Sequence, residues 1–304
     1  MNLYLDAGIL CALVVLLACP FSKWLARASW VTRSPRAAVA LWHSVGMSAT
    51  LATIGAGLCV ASERFHAGFV GGVGELGEGV ASGHPLQGLG LPDALGLTLA
   101  ADVGVVLFSV VGVVILRTVL ARARHRRLLN LLASPSQSRA GTLTLDHPSP
   151  VAYCLPGIRP RIVISSGTVG LLDQAELTAV IEHERGHAHE RHGLVMLPMT
   201  GLTEPFRWIP YARLAPAEVA GLLEMAADDH AARRHDSTSL ASALVAMSTS
   251  AAPPRCAFAL ASHDVNARVH RLLGPDRISR TAAATTGLLC AAALVAPLAV
   301  LFSS

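Results

Sequence analysis

The stretch DQAELTAVIEHERGHAHERHG occupies residues 173–193 and decides the architecture of the region around it. Asp173 and Glu176 stand three residues apart, which is the spacing of a capping box at the start of a helix. Apolar residues then recur at helical intervals. The pattern predicts a helix from Gln174 to about Arg191 that ends near Gly193.

This helix carries the motif HERGH, whose histidines are His183 and His187. Residues four apart share one face of a helix, so both imidazoles can bind the same zinc ion. Glu184 lies one position along and can hold a water molecule without binding the metal, which is the general-base role in peptidases with this motif. His189 and His192 follow, but helical geometry turns them away from the metal, so we expect structural or solvent-exposed roles for both.

A catalytic zinc site needs a third protein ligand and an open position for water. The segment EMAAD supplies Glu224 and, four residues later, Asp228, on a second helix predicted from about Pro216 to about Arg234. We expect Glu224 to complete a site of two histidines and one glutamate, with one zinc ion per chain. Asp228 can accept the free N–H of a zinc-bound histidine and fix its orientation. His230 and Arg234 are candidates for stabilising the oxyanion of the reaction intermediate.

Composition places this motif in a membrane protein. Of the 304 residues, 52% are hydrophobic and 14% are charged, whereas roughly a quarter of a soluble domain is charged. Four stretches have about the 20 apolar residues that a bilayer crossing needs. They are Leu3–Phe21, Ala37–Ala61, Leu95–Leu116 and Thr281–Phe302. The net charge of +4 is small and forms no basic stripe, so direct nucleic-acid binding is not expected.

Basic residues near span ends mark the cytoplasmic side of a membrane protein. They cluster between spans one and two, after span three and before span four, at Lys23, Arg27, Arg33, Arg36, Arg117, Arg122, Arg124, Arg126, Arg127, Arg271, Arg277 and Arg280. The second loop, Ser62–Ala94, has one arginine, four acids and nine glycines, so we expect it to be external and flexible. Asp102, inside span three, is either a functional acid or close enough to the outer end to reach water. The pattern predicts a multi-pass cell-membrane protein with both termini outside and the zinc site in the cytoplasm.

The polar middle of the chain is typical of an α+β domain. Runs rich in β-branched residues predict strands at Thr142–Leu145, Val151–Leu155 and Arg161–Ser165. A third helix is predicted at Ser237–Ser250, where apolar residues recur at helical spacing. We therefore divide the chain into a three-helix transmembrane region (1–127), a cytoplasmic zinc domain (128–280) and a fourth transmembrane helix (281–304). The fold class is an α-helical membrane protein with this domain inserted between helices three and four.

HExxH followed by ExxxD resembles the gluzincin pattern. Three spans before the zinc site and one after it resemble the BlaR/MecR family of antirepressor membrane metallopeptidases, and residues 160–164 are similar to a strand of that family. The resemblance implies a zincin-like domain with zinc ligands at His183, His187 and Glu224, catalysis by Glu184 and support from Asp228. It also implies a protein substrate, a winged-helix repressor of the BlaI/MecI type. That family carries a penicillin-binding sensor domain after the fourth span, and from the short segment that follows Phe302 here we expect this chain to work without one.

Two other functions are open at this stage. An HtpX-like or Ste24-like quality-control or processing membrane protease would carry the same motif, although HtpX-like chains usually place further spans after it. A zinc-binding membrane signalling scaffold without turnover is the third possibility, but an intact Glu184 argues against it. The substrate's identity and cleavage site, the activating signal, any involvement of β-lactams and the oligomeric state are not determined by the sequence.

Overall fold

The structure is a computed structural model that describes residues 2–84, 87–135, 141–157, 160–201, 203, 206–250, 265–274 and 280–303. Arg277, counted above among the basic residues, lies outside the described residues. The helices before the sheet are α1 (Leu3–Leu16), α2 (Ser22–Arg27), α3 (Pro35–Ser62), α4 (Gly68–Ala81) and α5 (Leu91–Leu132). The strands are β1 (Ala133–Pro135), β2 (Thr142–Leu145), β3 (Ala152–Leu155) and β4 (Arg161–Ser165). The helices after the sheet are α6 (Ser166–Leu171), α7 (Gln174–His189), α8 (His192–Val195), α9 (Leu197–Gly201), α10 (Pro210–Ala232), α11 (Ser237–Ser250), α12 (Val265–Leu273) and α13 (Arg280–Phe302).

Helical segments long and apolar enough to cross a membrane occur at the four predicted places. By length and composition they are Leu3–Arg27, Pro35–Phe65, Leu91–Leu132 and Thr281–Phe302. A π-helical turn at Leu17–Phe21 joins α1 to α2 and contains Pro20, whose missing N–H interrupts the regular helix. These segments support a membrane protein, as predicted.

Helix α3 lies at the centre and packs against α1, α5, α10 and α13. Its approach to α5 depends on glycine, since a Cβ atom on Gly57 would lie 2.6 Å from the carbonyl oxygen of Gly96. Small residues allow such close backbone contact between membrane helices. Further along α3, the buried Trp42 packs against Tyr211 of α10, and the Tyr211 hydroxyl donates to the Trp42 carbonyl at 3.0 Å. These contacts hold α10 against the membrane-type helices.

The prediction of a flexible second loop is wrong for residues 68–81, which are 14 of the 33 residues in Ser62–Ala94, because they form α4. Phe69 of α4 is buried and stacks edge-on against Phe302, with ring centroids 6.3 Å apart. Gly72 lies so close to Ser62 that a Cβ atom would be 2.5 Å from the Ser62 Cβ. Packing of this apolar face against α3 and α13 outweighs the low helix propensity of glycine.

The sheet has the order β1-β2-β4-β3, with β2 and β4 parallel and the outer strands antiparallel to their neighbours. The three predicted strands are present, and only Val151, the first residue of its predicted run, lies outside the observed strand. Strand β1 was not predicted, because Ala-Ser-Pro has no strand signature and forms a strand only by pairing with β2.

Two helix boundaries differ from the predictions. Helix α7 ends at His189 because Arg191 takes a left-handed conformation with φ of 53°, so the chain turns before Gly193. Helix α10 begins at Pro210, which takes the favoured first-turn position predicted for Pro216. Helix α11 has the predicted bounds.

Helix α5 has 42 residues and is about 60 Å long at ~1.5 Å per residue, roughly twice the thickness of a bilayer core. It continues through residues 127 and 128, where we divided the chain, and that division stays a prediction. Near its end, Arg122 donates to the Gly193 carbonyl at 3.0 Å and Arg126 donates to the Pro156 carbonyl at 3.1 Å. His125 lies 2.8 Å from the Tyr153 hydroxyl of β3. The end of α5 is therefore attached to the middle region.

Candidate metal centre

Three predicted ligand side chains meet at one point between α7 and α10. Nε2 of His187 lies 3.2 Å from Nε2 of His183. The Glu224 carboxylate lies 3.5 Å from Nε2 of His183 and 3.4 Å from Nε2 of His187. Zinc–ligand bonds of about 2.0–2.1 Å in a tetrahedron place neighbouring ligand atoms about 3.3 Å apart. The triangle therefore fits a zinc ion with a fourth position left for water. Within the described residues, these three were found as a group able to hold a metal.

Local structure explains why the histidines align. The predicted capping box forms, since Asp173 accepts from the Glu176 N–H at 2.8 Å and Glu176 accepts from the Asp173 N–H at 3.0 Å. Leu177 and Ile181 then bury the other side of α7 in a core shared with Ile164 of β4. The helix is fixed at its start and along its apolar side, so its metal-binding face is held toward α10.

Asp228 supports the first histidine. It is fully buried, and its Oδ1 lies 3.0 Å from Nδ1 of His183, although this oxygen lies off the direction of the ring N–H. Arg268 of α12 donates to both oxygens of Asp228, at 2.7 and 2.8 Å, and also lies 3.0 Å from Glu224. Arg268 thus connects Glu224 to Asp228, the carboxylate that lies beside His183. Sequence reasoning missed Arg268, because α12 lies 40 residues after Asp228 and carries no motif.

The region that carries this geometry is similar to a known peptidase family. Residues 120–250 match the model of Peptidase family M48. The matched range contains all three candidate ligand residues, and the match indicates a metallopeptidase, a hydrolase of peptide bonds. No curated protein and no solved structure gave a significant match to the chain. The BlaR/MecR-like subtype stays a prediction.

The general base predicted for such a peptidase, Glu184, is partly buried beside edge strand β3. Burial raises the pKa of Glu184 to about 7, and the Glu224 carboxylate adds to this effect. His183 and a hydrogen bond with the backbone of Cys154 act in the opposite direction. A pKa near neutrality suits a group that takes up and releases a proton during turnover.

The two histidines of the candidate metal site have opposite protonation tendencies. Burial disfavours a charged His183, but its contacts with Asp228 and Glu224 outweigh burial and raise its pKa to about 10. Burial, together with the charge on His183, lowers the pKa of His187. Burial opposes ionisation of Glu224, but His183 and Arg268 hold its pKa well below the usual range. Metal binding would therefore displace one proton, from His183.

His192 has the structural role that was one of its two expected roles, but it lies closer to the candidate ligands than a regular helix would place it. His192 is buried, and its Nδ1 lies 2.9 Å from Nδ1 of His187. Helical geometry would have turned it away from the metal, but α7 ends at His189 and the left-handed Arg191 brings the chain back. His189 is exposed and its ring packs near that of His230, away from the ligands.

The structure does not bring His230 and Arg234 to the metal-binding atoms. Nε2 of His230 lies 3.3 Å from Glu182 and 2.9 Å from Nη1 of Arg234, and Arg234 lies 3.4 Å from the same glutamate. Because His230 follows Asp228 by two positions, it projects about 200° around α10 from that residue. The predicted oxyanion role has no support in these contacts.

Proposed function

We propose that this chain is a membrane-embedded zinc endopeptidase that hydrolyses peptide bonds of a cytoplasmic protein. The observation that carries the proposal is the triangle of His183, His187 and Glu224, with Glu184 on the next position of the same helix. The match to Peptidase family M48 supports the same reaction.

Zinc bound by these three side chains would polarise the scissile carbonyl and acidify a water molecule. Glu184 takes the proton of the attacking water on its carboxylate and passes it to the nitrogen of the leaving amine. Asp228 and Arg268 keep His183 and Glu224 oriented. The partly buried position of Glu184 limits the competing access of bulk water to its carboxylate.

The cytoplasmic placement rests on the arginine distribution. The first loop contacts the region of the metal centre, since Arg271 donates to the Thr32 carbonyl at 2.8 Å and Arg36 pairs with Glu190. The basic first loop and the metal centre therefore face the same side, which we assign to the cytoplasm, with both termini outside.

The protein substrate that we favour is a winged-helix transcriptional repressor of the BlaI/MecI type, cut during signal transduction. Three spans before the metal site and one after it favour this assignment. An HtpX-like or Ste24-like protease is equally compatible with the M48 match. A repressor encoded beside this chain and cut at one site would favour the first function, whereas cleavage of many unfolded membrane proteins would favour the second.

The test of the chemistry is Glu184→Gln in purified protein, with Glu75→Gln on the exposed face of α4 as the matched control. Glutamine keeps the size but cannot take the proton, so cleavage of the repressor, or of casein in detergent, should fall by about 10²–10⁴-fold. Zinc content should stay near one per chain, because no ligand is lost.

The metal ligands need a separate measurement. His183→Ala combined with His187→Ala should abolish zinc binding, and full zinc occupancy in that variant would rule out this site. Wild-type cleavage by Glu184→Gln would show that another group is the base. A wild type that binds zinc and cuts neither substrate would favour the scaffold without turnover.

A further inference from the structure

A continuous set of polar contacts leads from the metal-binding His187 away from the metal. Nδ1 of His187 lies 2.9 Å from Nδ1 of His192, and Nε2 of His192 lies 3.4 Å from Oε2 of Glu190. His192 is buried, with 4% of its surface exposed. A buried imidazole needs partners for both nitrogens, and here both of them face one.

These contacts have one consistent proton assignment. If His187 binds metal through Nε2, its Nδ1 carries the proton and donates to Nδ1 of His192. His192 must then carry its own proton on Nε2, where the acceptor is the carboxylate of Glu190. Each ring nitrogen is then either a donor or an acceptor. The negative charge of Glu190 favours the hydrogen bond that His187 donates to His192.

The series ends on the second membrane-type helix. Arg36, in the first turn of α3, donates through Nε to Oε2 of Glu190 at 2.8 Å and through Nη2 to Oε1 at 2.5 Å. Arg36 also donates to the Ala226 carbonyl of α10 at 2.8 Å and lies 3.6 Å from Asp229. A two-pronged guanidinium–carboxylate contact fixes the orientation of both groups.

A second contact from α3 holds the same segment. His43 lies 3.0 Å from the carbonyl oxygen of Val195, the last residue of the short helix that begins at His192. The chain after the motif is therefore attached to α3 at two places, on either side of the first turn of α8.

We propose that His192 and Glu190 are positioning residues for the metal ligand His187, and that Arg36 couples this pair to the start of the second membrane-type helix. The inference rests on the metal centre of the proposed function. Metal affinity would then depend on the placement of α3 relative to α7, so that a change in the membrane helices reaches the metal through Arg36.

The test measures metal binding rather than turnover, in the full-length protein in detergent. Zinc affinity is measured by competition with a chelator, and the ligand geometry is measured from the visible absorption of the cobalt-substituted protein. His192→Asn and Glu190→Gln should each weaken zinc binding about 10–100-fold and alter the cobalt spectrum. The controls are His189→Asn, on the exposed end of α7, and Arg33→Gln, in the same basic loop as Arg36.

Arg36→Gln tests the coupling. It should weaken zinc binding, and combining it with Glu190→Gln should add little to the effect of Glu190→Gln alone, because both act through one series of contacts. Full additivity of the two changes would overturn the role of Arg36. Zinc affinity and a cobalt spectrum unchanged in His192→Asn would overturn the whole inference. A wild type without zinc would instead refute the proposed metal centre itself.

Discussion

Replacement of Asp228 by Asn isolates the support behind the first metal ligand. The carboxylate is fully buried, faces Nδ1 of His183 at 3.0 Å and accepts two hydrogen bonds from Arg268. Asn keeps the shape and one acceptor oxygen but removes the charge. Loss of an outer-shell carboxylate typically costs 10–100-fold in metal affinity, which is about 1.4–2.7 kcal/mol. The buried guanidinium would also lose its charged partner, and removing one partner of a buried pair costs about 3–5 kcal/mol of folding stability.

The two costs can be separated with the neighbouring residue. Asp229 is also buried and pairs with Arg271 at 2.8 Å and more distantly with Arg36 at 3.6 Å, but among the described residues it has no contact with a candidate metal ligand. Asp229→Asn should therefore lower the free energy of unfolding, measured in denaturant and detergent, with much less effect on zinc affinity measured by chelator competition. Equal loss of zinc affinity in both variants would show that Asp228 acts through general stability. Wild-type zinc affinity in Asp228→Asn would refute its support of His183.

Three further predictions concern pH, orientation and helix packing. Contacts with Asp228 and Glu224 raise the pKa of His183 to about 10, so a proton competes with zinc for this side chain at neutral pH. Apparent zinc affinity should therefore rise up to about tenfold per pH unit between pH 6 and 8, and a zinc affinity that does not change with pH would contradict this. Reporter fusions should place position 77 outside and position 249 in the cytoplasm, and the opposite result would reverse the assigned orientation. Gly57→Leu should push α3 away from α5 and lower the thermal stability of the protein in detergent, because the new Cβ atom would lie 2.6 Å from the Gly96 carbonyl oxygen. An unchanged unfolding temperature would show that the two helices can separate without loss of stability.

The sequence by itself determined the parts of this protein that depend on neighbours in the chain. The capping box and the four-residue spacing of His183 and His187 follow from helix geometry, and they formed as predicted. The membrane-type helices were predicted from length and apolar composition. Glu224 was predicted as the third ligand because a carboxylate among apolar neighbours needs a partner. Each of these inferences needs only local periodicity.

Only the tertiary structure decided what surrounds the metal ligands. Arg36 and Glu190 are 154 residues apart in the sequence, and Arg268 and Asp228 are 40 apart. No local sequence pattern predicts contacts between residues so far apart. His192 was predicted to face away because a regular helix was extended past its true end, whereas one left-handed residue returns it to His187. Ligand spacing is a property of one helix, but ligand orientation depends on buried charges that come from other helices, and their positions are set only when the chain packs.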